Sequence, residues 1–165
     1  MTAQIRPADA ARDAAACAAI YRPFVRESWT SFELKAPDAA EMARRIDEAR
    51  AHHGWFVAED HAGRLLGYCY ASQHRSRAAY RTSCDVAIYV APVAARRGIG
   101  RALYTMLFDE LRHRRYHAAF AGIALPNAAS IGLHRAMGFG EVGTYREVGW
   151  KMGGWRDVSW WQLVL

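Results

Sequence analysis

The sequence between residues 83 and 115 constrains the fold more than any other part of the chain. Residues 83–91 are rich in apolar, β-branched and aromatic side chains, which predicts a strand that Pro92 ends. Residues 96–101, Arg-Arg-Gly-Ile-Gly-Arg, then lead into an amphipathic helix that reaches about Arg115. A buried strand that passes through a glycine turn into a helix favours a layered α/β fold over an all-helical one.

The rest of the chain alternates between strand and helix patterns. Further strands are predicted at residues 2–6, 55–60, 65–72 and 116–125, and as a pair around Gly153-Gly154. Further helices are predicted at 9–21 before Pro23, at 38–53 with Asp38 as the N-cap, and at 128–137. Residues 27–33 have no helical period and are predicted to form a loop that covers a site. This order predicts one α/β domain, residues 1–165, built on a mixed sheet.

Positive charge is concentrated in the middle of the chain. The chain has 22 basic and 16 acidic residues, and residues 75–115 hold nine Arg against three acids, so the excess predicts an anion-binding region there. The three cysteines are far apart, which favours buried thiols in a reducing cytoplasm and no metal site. We find no signal-peptide core and no apolar stretch of the roughly 20 residues that a membrane span needs.

The glycine turn has three properties that suit phosphate binding. Glycine lets the backbone approach a ligand closely, the first amides of a helix are unpaired, and the helix dipole favours negative charge there. Arg96, Arg97 and Arg101 add forked cationic donors. A glycine turn with solvated arginines is the alternative. Neither the Walker pattern nor the dinucleotide-binding pattern occurs in the chain.

These residues resemble those of the Gcn5-related N-acetyltransferase (GNAT) superfamily. Its pyrophosphate loop reads Gln/Arg-x-x-Gly-x-Gly/Ala, and residues 95–100 read Ala-Arg-Arg-Gly-Ile-Gly, with Ala95 at the usual polar position. The whole chain is similar to the phosphinothricin/methionine sulfoximine acetyltransferase family. The motifs that carry this likeness are Ile-Arg-Pro at 5–7, Thr-Ser-Phe-Glu at 30–33, Arg-Ser-Arg-Ala-Ala-Tyr at 75–80, Leu-Pro-Asn-Ala-Ala-Ser at 125–130, Leu-His at 133–134 and Gly-Trp-Lys-Met-Gly-Gly-Trp-Arg-Asp-Val at 149–158.

The resemblance implies a fold, a cosubstrate and an assembly. The fold would be a mostly antiparallel mixed sheet of about seven strands, with helices on both faces and a splay between strands 4 and 5. Acetyl-CoA would lie in that splay, and the C-terminal strands would help to form a homodimer. The cofactor contacts would come from backbone groups of Ile88, Tyr89 and Val90, from the loop residues Arg96, Arg97, Gly98, Ile99, Gly100 and Arg101, and from Asn127 and Ser130. For Asn127 and Ser130, helix capping is the alternative.

The same resemblance implies two catalytic residues. Asp85 matches a position that usually carries Glu as general base, and a shorter Asp favours relay through a water. A carboxylate among apolar residues needs a partner or a task, so a salt bridge with an Arg is the alternative. His134 matches a His beside the active site, although a His on a helix surface is often inert. Tyr104 is a candidate acid for the leaving thiolate, or a packing residue.

The resemblance also implies an acceptor pocket formed by Phe32, Arg75, Arg77 and Tyr80. If the third long strand extends to residue 77, Arg75 and Arg77 project from one face and can clamp an acidic group. The alternative is a solvated basic loop.

The leading hypothesis is therefore acetyl transfer from acetyl-CoA to the primary amine of a small amino-acid-like acceptor, by direct attack and without a metal. Two other functions stay open at this point. An Arg-rich middle also occurs in nucleic-acid-binding modules, but here a strand and a glycine loop interrupt it, so we expect no nucleic-acid partner. Acetylation of a protein or peptide amine is the other alternative.

Overall fold

The computed structural model describes residues 3–165, and its elements follow the predicted order. The strands are β1 (Gln4–Pro7), β2 (Trp55–Glu59), β3 (Leu65–Gln73), β4 (Ser83–Val90), β5 (Ala118–Ala124), β6 (Gly140–Lys151) and β7 (Gly154–Val164). The helices are α1 (Ala10–Arg26), α2 (Ala39–His52), α3 (Ile99–His113) and α4 (Ala128–Ala136), with short 3-10 turns at Ala78–Tyr80 and Pro92–Ala94. No helix in residues 3–165 combines the length and the apolar composition that a membrane crossing requires.

The seven strands form one mixed sheet in the order β1-β2-β3-β4-β5-β7-β6. All neighbouring pairs are antiparallel except β4 and β5, which run parallel and pair only from Ser83–Asp85 to Ala118–Phe120. Beyond that point β4 stays paired with β3 as far as Val90, while β5 stays paired with β7 as far as Ala124. The two halves of the sheet therefore splay apart, as the resemblance implied.

Hydrophobic residues cover both faces of the central strands, whereas β6 at one edge of the sheet is largely exposed. The core on one face is built around α3, whose Leu103, Leu107 and Leu111 have no exposed surface. The core on the other face holds α1 and α2, through side chains such as Cys17, Met42 and Ile46. The central strands are therefore covered on both sides, and alternate residues of β4 face different layers.

The first helix extends past the point where the sequence predicts its end. Pro23 lies inside α1, which runs to Arg26, so the prediction of a stop at Tyr21 is wrong. A proline inside a helix removes one hydrogen bond and crowds the carbonyl of the preceding turn, but Phe24 and Val25 gain packing against the core, which offsets that cost. The helix then closes with the Glu27 amide donating to the Pro23 carbonyl at 2.9 Å. The predicted first strand included Thr2, which lies outside the described residues.

An ion-pair network joins β1, α1 and β2. Arg6 donates to both carboxylate oxygens of the fully buried Asp13, at 2.7 and 2.8 Å, and to Glu59 at 2.8 Å. Burial raises the pKa of Asp13, but the hydrogen bonds from Arg6 and from the Asp9 amide outweigh it, so the net pKa lies below its usual value. Asp13 is therefore ionised when it is paired with Arg6.

Candidate active site

The splay between β4 and β5 opens a narrow cleft in the sheet. A cavity of about 60 Å³ lies there, lined by Ile88 and Tyr89 of β4, Ile123 of β5, and Asn127, Ser130 and His134 around α4. Since β4 has no strand partner on this side after Asp85, alternate backbone groups of residues 86–90 face the opening. Such groups can pair with an extended amide-bearing ligand in place of a strand.

The glycine turn lies between the end of β4 and the start of α3. Gly98 caps α3 with φ +77°, and Arg96 has φ 60°, so the backbone of the turn adopts left-handed conformations at two positions. Ala102 is the first residue of α3 whose amide has a hydrogen-bond partner, and this amide donates to the Gly98 carbonyl at 3.1 Å. The amides of Ile99, Gly100 and Arg101 therefore lack an acceptor within the helix and can bind an anion.

The side chains of this turn divide into two groups. Arg96, Arg97 and Arg101 are exposed, as a phosphate ligand would need. Ile99 is 4% exposed and belongs to the core, so only its amide is available to a ligand. A Cβ on Gly100 would lie 3.0 Å from Leu133 Cδ2, so this glycine allows α3 and α4 to pack closely.

His134 is buried rather than on the surface of α4. Its side chain is 3% exposed, and its Nδ1 lies 2.8 Å from the Ser130 carbonyl, which can only accept. Nδ1 must therefore carry the proton, and Nε2 accepts from the Tyr104 hydroxyl at 3.0 Å. Burial lowers the pKa of His134, which keeps the ring neutral. Burial also raises the pKa of Tyr104 well above its usual value.

Asn127 is the N-cap of α4, and Ser130 is not a cap. The Asn127 side chain accepts from the Ser130 amide at 3.1 Å and so caps α4. Both residues also line the cleft, so the capping bond does not remove them from it.

Asp85 lies where a second, wider cavity meets the cleft. This cavity of about 450 Å³ is lined by Asp85, Ala87 and Tyr89, which share one face of β4, together with Phe32 and Trp160. Asp85 is half-buried, and its Oδ1 is hydrogen-bonded to Nδ1 of His74, so the partner is not an Arg as the alternative held. Burial raises the pKa of Asp85, and the hydrogen bond from His74 opposes that rise.

The wall opposite β4 comes from the early loop and from β6. Phe32 packs on Gly149, where a Cβ would lie 2.3 Å from Phe32 Cε2. The register of β6 against β7 shifts between Tyr145 and Gly149, and this bulge helps to place Tyr145 and Val148 in the cavity wall.

Buried polar contacts hold this early loop in place. Lys151 is 6% exposed and donates to the backbone carbonyls of Ser31 and Glu33. Glu33 pairs with Arg45, with Arg45 Nη2 donating at 2.6 Å, and also accepts from the Tyr21 hydroxyl. The hydrogen bonds from Arg45 hold the pKa of Glu33 below its usual value.

The structure does not place Arg75 and Arg77 on a strand face. β3 ends at Gln73, so the condition for a two-pronged clamp is not met. Both arginines are exposed in the bend after β3, where Arg75 donates to the His74 carbonyl and Arg77 precedes the Ala78–Tyr80 turn. Neither lines the cavity that contains Asp85. Tyr80 is 42% exposed and borders a neighbouring cavity of about 640 Å³.

Sequence reasoning missed the contact between His74 and Asp85. A usable signal exists in the hairpin register, because Ser72 is opposite Asp85 and His74 is two residues further along on the same face. The β3–β4 pairing would therefore have pointed to His74 as a diagonal neighbour of Asp85.

The fold and this pair of joined cavities define an acyl-CoA-dependent transferase, and comparisons with known proteins agree. The model of the acetyltransferase (GNAT) domain matches residues 7–160. The chain is 43% identical over 150 residues to a phosphinothricin N-acetyltransferase of Streptomyces coelicolor, covering 88% of this chain and 87% of that protein. It is 35% identical over 167 residues to an L-methionine sulfoximine/L-methionine sulfone acetyltransferase of Pseudomonas paraeruginosa, covering 100% and 96%.

A solved structure extends the match to a cosubstrate complex. The crystal structure of a GNAT superfamily phosphinothricin acetyltransferase from Sinorhizobium meliloti in complex with acetyl-CoA superposes with a TM-score of 0.94 at 37% identity, covering 100% of this chain and 89% of that one. The chain belongs to the GNAT acetyltransferase family, and it is an acetyltransferase whose cosubstrate is acetyl-CoA.

Proposed function

We propose that the chain acts as a single domain that transfers acetyl from acetyl-CoA to the primary amine of a small amino-acid-like acceptor of the phosphinothricin, methionine sulfoximine or methionine sulfone type. One observation carries the proposal. The cleft between β4 and β5 and the cavity of Asp85 share six lining residues: Thr30, Val86, Ala87, Tyr89, Gly122 and Ala124. A thioester in the cleft would therefore meet an amine in the cavity beside a carboxylate. The names of the two relatives support this class of acceptor.

In this proposal the cofactor lies along the open edge of β4. Its pantetheine arm pairs with backbone groups at Ile88, Tyr89 and Val90, and its pyrophosphate lies on the amides of residues 98–101 near Arg96, Arg97 and Arg101. An amide near Tyr89 or Val90 then stabilises the oxyanion that forms when the amine attacks.

The proton balance assigns a task to Asp85. The acceptor enters as an ammonium ion and loses one proton to Asp85, directly or through a water, which frees the nitrogen lone pair. The amine attacks the thioester carbon, the C–N bond forms and the C–S bond breaks. The second nitrogen proton passes to the departing thiolate as the tetrahedral intermediate collapses, and the Tyr104–His134 pair beside the cleft relays it without a net change in its own protonation.

The carboxylate of Asp85 is an adequate general base for an α-amine. An α-amino group with pKa near ~8 is free at pH 7 in about one molecule in ten, whereas a lysine-like amine near ~10.4 is free in about one in 2,500. The difference corresponds to roughly 3 kcal/mol, so a lysine-like amine demands more of the base than an α-amine does.

The role of Asp85 is tested by Asp85→Asn, with Asp109→Asn as the matched control. Removing a general base is expected to lower kcat/KM for the acceptor by about 10²-fold or more, with little change in the KM for acetyl-CoA. Asp109 is exposed on α3 and, within residues 3–165, pairs only with Arg112, so its variant should keep wild-type kinetics. Unchanged turnover of Asp85→Asn would remove the carboxylate from the mechanism.

The acceptor class is tested by a turnover screen. Phosphinothricin, methionine sulfoximine and methionine sulfone are compared with ordinary amino acids, polyamines and peptides with a free N-terminus or lysine. Turnover of peptides alone would replace the proposed acceptor with a protein amine.

We further infer that two copies associate through β6 and β7. Exposed apolar side chains are concentrated there, including Tyr145, Val148, Trp150, Met152 and Trp155, each at least half exposed. A contiguous patch of this kind is typical of an interface. Light scattering should give a dimer mass, and a Trp150→Asp variant should shift it toward the monomer. A monomeric mass for the wild-type protein contradicts this assembly.

A cytoplasmic location accords with the three buried free thiols, Cys17, Cys69 and Cys84.

A further inference from the structure

His74 is held rigidly beside Asp85 by packing that no part of the proposed reaction needs. Its ring stacks on Phe120 of β5, with centroids 4.3 Å apart and planes 16° apart, and lies edge-on to Tyr80 at 5.9 Å. Its side chain is 13% exposed. A histidine fixed on two sides presents Nδ1 to Asp85 in one orientation.

The hydrogen bond from His74 uses only one oxygen of Asp85. Nδ1 of His74 lies 2.5 Å from Oδ1, while Oδ2 has no hydrogen-bond partner among residues 3–165. Asp85 lines the wider cavity, whereas His74 does not. The unpaired oxygen, Oδ2 of Asp85, therefore belongs to the residue that can reach the amine of the acetyl acceptor. Because a carboxylate rotates about its terminal bond, occupying one oxygen fixes the position of the other.

We propose that His74 is a positioning residue that fixes the Asp85 carboxylate for proton abstraction by donating a hydrogen bond from Nδ1 to Oδ1. The inference rests on the proposed role of Asp85 as the base. An aspartate is one methylene shorter than a glutamate, so its reach toward a bound amine depends more strongly on carboxylate orientation. The carboxylate is partly desolvated, and a hydrogen-bond donor stabilises its ionised form, as the opposing effects on its pKa show.

Three variants separate the hydrogen bond from the packing. His74→Phe keeps an aromatic ring against Phe120 and removes the donor. His74→Asn places an amide N–H near the position of Nδ1. His74→Gln is polar, but its amide reaches beyond that position, and it takes the place of the Phe variant if that one does not fold.

The assay is thiol release from acetyl-CoA with L-methionine sulfone as the acceptor. His74→Phe and His74→Gln should lower kcat by about 10- to 100-fold, the factor that one hydrogen bond to a charged group represents. His74→Asn should stay within about fivefold of wild type, and the KM for acetyl-CoA should not change in any variant. Wild-type kcat in His74→Phe overturns the inference, and so does an Asn variant as slow as the Phe variant.

A double-mutant cycle with Asp85→Asn shows whether His74 acts through Asp85. If it does, adding His74→Phe to Asp85→Asn should cost less than about twofold in kcat, because the carboxylate it positions is already gone. A full additional loss in the double variant would show that His74 acts by another route and overturns the inference. Failure of the proposed function looks different, because Asp85→Asn alone would then keep its activity.

Discussion

Gly149→Ala should impair the acceptor pocket while leaving the fold and the cofactor site intact. The added Cβ would lie 2.3, 2.8 and 2.9 Å from three ring carbons of Phe32. Non-bonded carbons settle at about 3.5–4.0 Å, so the Phe32 ring must retreat by roughly 1 Å or more. Phe32 is 39% exposed and can turn toward solvent, which keeps the stability cost to about 1 kcal/mol, the scale of an unfavourable rotamer.

The kinetic effect follows from that displacement. Phe32 forms part of the wall of the cavity that contains Asp85, so its retreat should lower kcat/KM for the acceptor by about tenfold or more. The KM for acetyl-CoA should not change. The matched control is Gly143→Ala on the same strand, where a Cβ meets nothing within 4 Å. Steady-state kinetics with methionine sulfone and urea unfolding measure both effects.

Two results would refute this reasoning. The first is wild-type acceptor kinetics for Gly149→Ala. The second is an equal loss for Gly149→Ala in a Phe32→Ala background, because a methyl group that acts by displacing the ring should have no effect once the ring is absent.

Two further predictions concern the glycine turn and the N-terminal ion network. Gly98→Ala should raise the KM for acetyl-CoA and destabilise the protein by roughly 1 kcal/mol, because Gly98 has φ +77°. In contrast, Gly132→Ala inside α4, where a Cβ meets nothing, should leave the KM unchanged and stabilise the protein by about 0.5–1 kcal/mol. The pKa of Asp13 is lower in the folded state than in the unfolded state. The ionised carboxylate therefore stabilises the fold above the unfolded pKa of 3.8, and this stabilisation is lost as the pH falls below that value. Urea midpoints at pH 7, 5 and 3 should fall mainly between pH 5 and 3, and less steeply for Asp13→Asn; an equally steep fall in that variant would contradict the assignment.

Local patterns predicted the secondary structure well, and tertiary packing decided the exceptions. The order of strands and helices is confirmed throughout residues 3–165, and so is the Asp38 cap, which accepts from the Glu41 amide at 2.9 Å. Pro23 is the clear exception, because burial of the residues after it outweighs the loss of one helical bond. Local sequence cannot indicate that burial, since it depends on side chains of β3 and β4.

The conformation of the glycine turn was predictable from the sequence, whereas contacts that depend on pairing between strands were less so. Glycines and free helix amides at residues 98–101 indicate an anion site from sequence alone. The partner of Asp85 depends on the β3–β4 register and on Phe120 of β5, which no local pattern contains. The burial of His134 depends on Tyr104 and Phe139, which lie 30 residues before and five after it.

The splay between β4 and β5 links the stability of the folded chain to the level of acetyl-CoA. β4 and β5 are paired over only three residues. In the proposed binding mode, acetyl-CoA would bond along β4 and supply main-chain pairing that the protein itself does not make. Ligand that binds only the folded chain adds about 2.7 kcal/mol to stability at a hundredfold excess over its Kd. The enzyme should therefore resist proteolysis and heat best when acetyl-CoA is abundant, so that its lifetime follows the acetyl-CoA level.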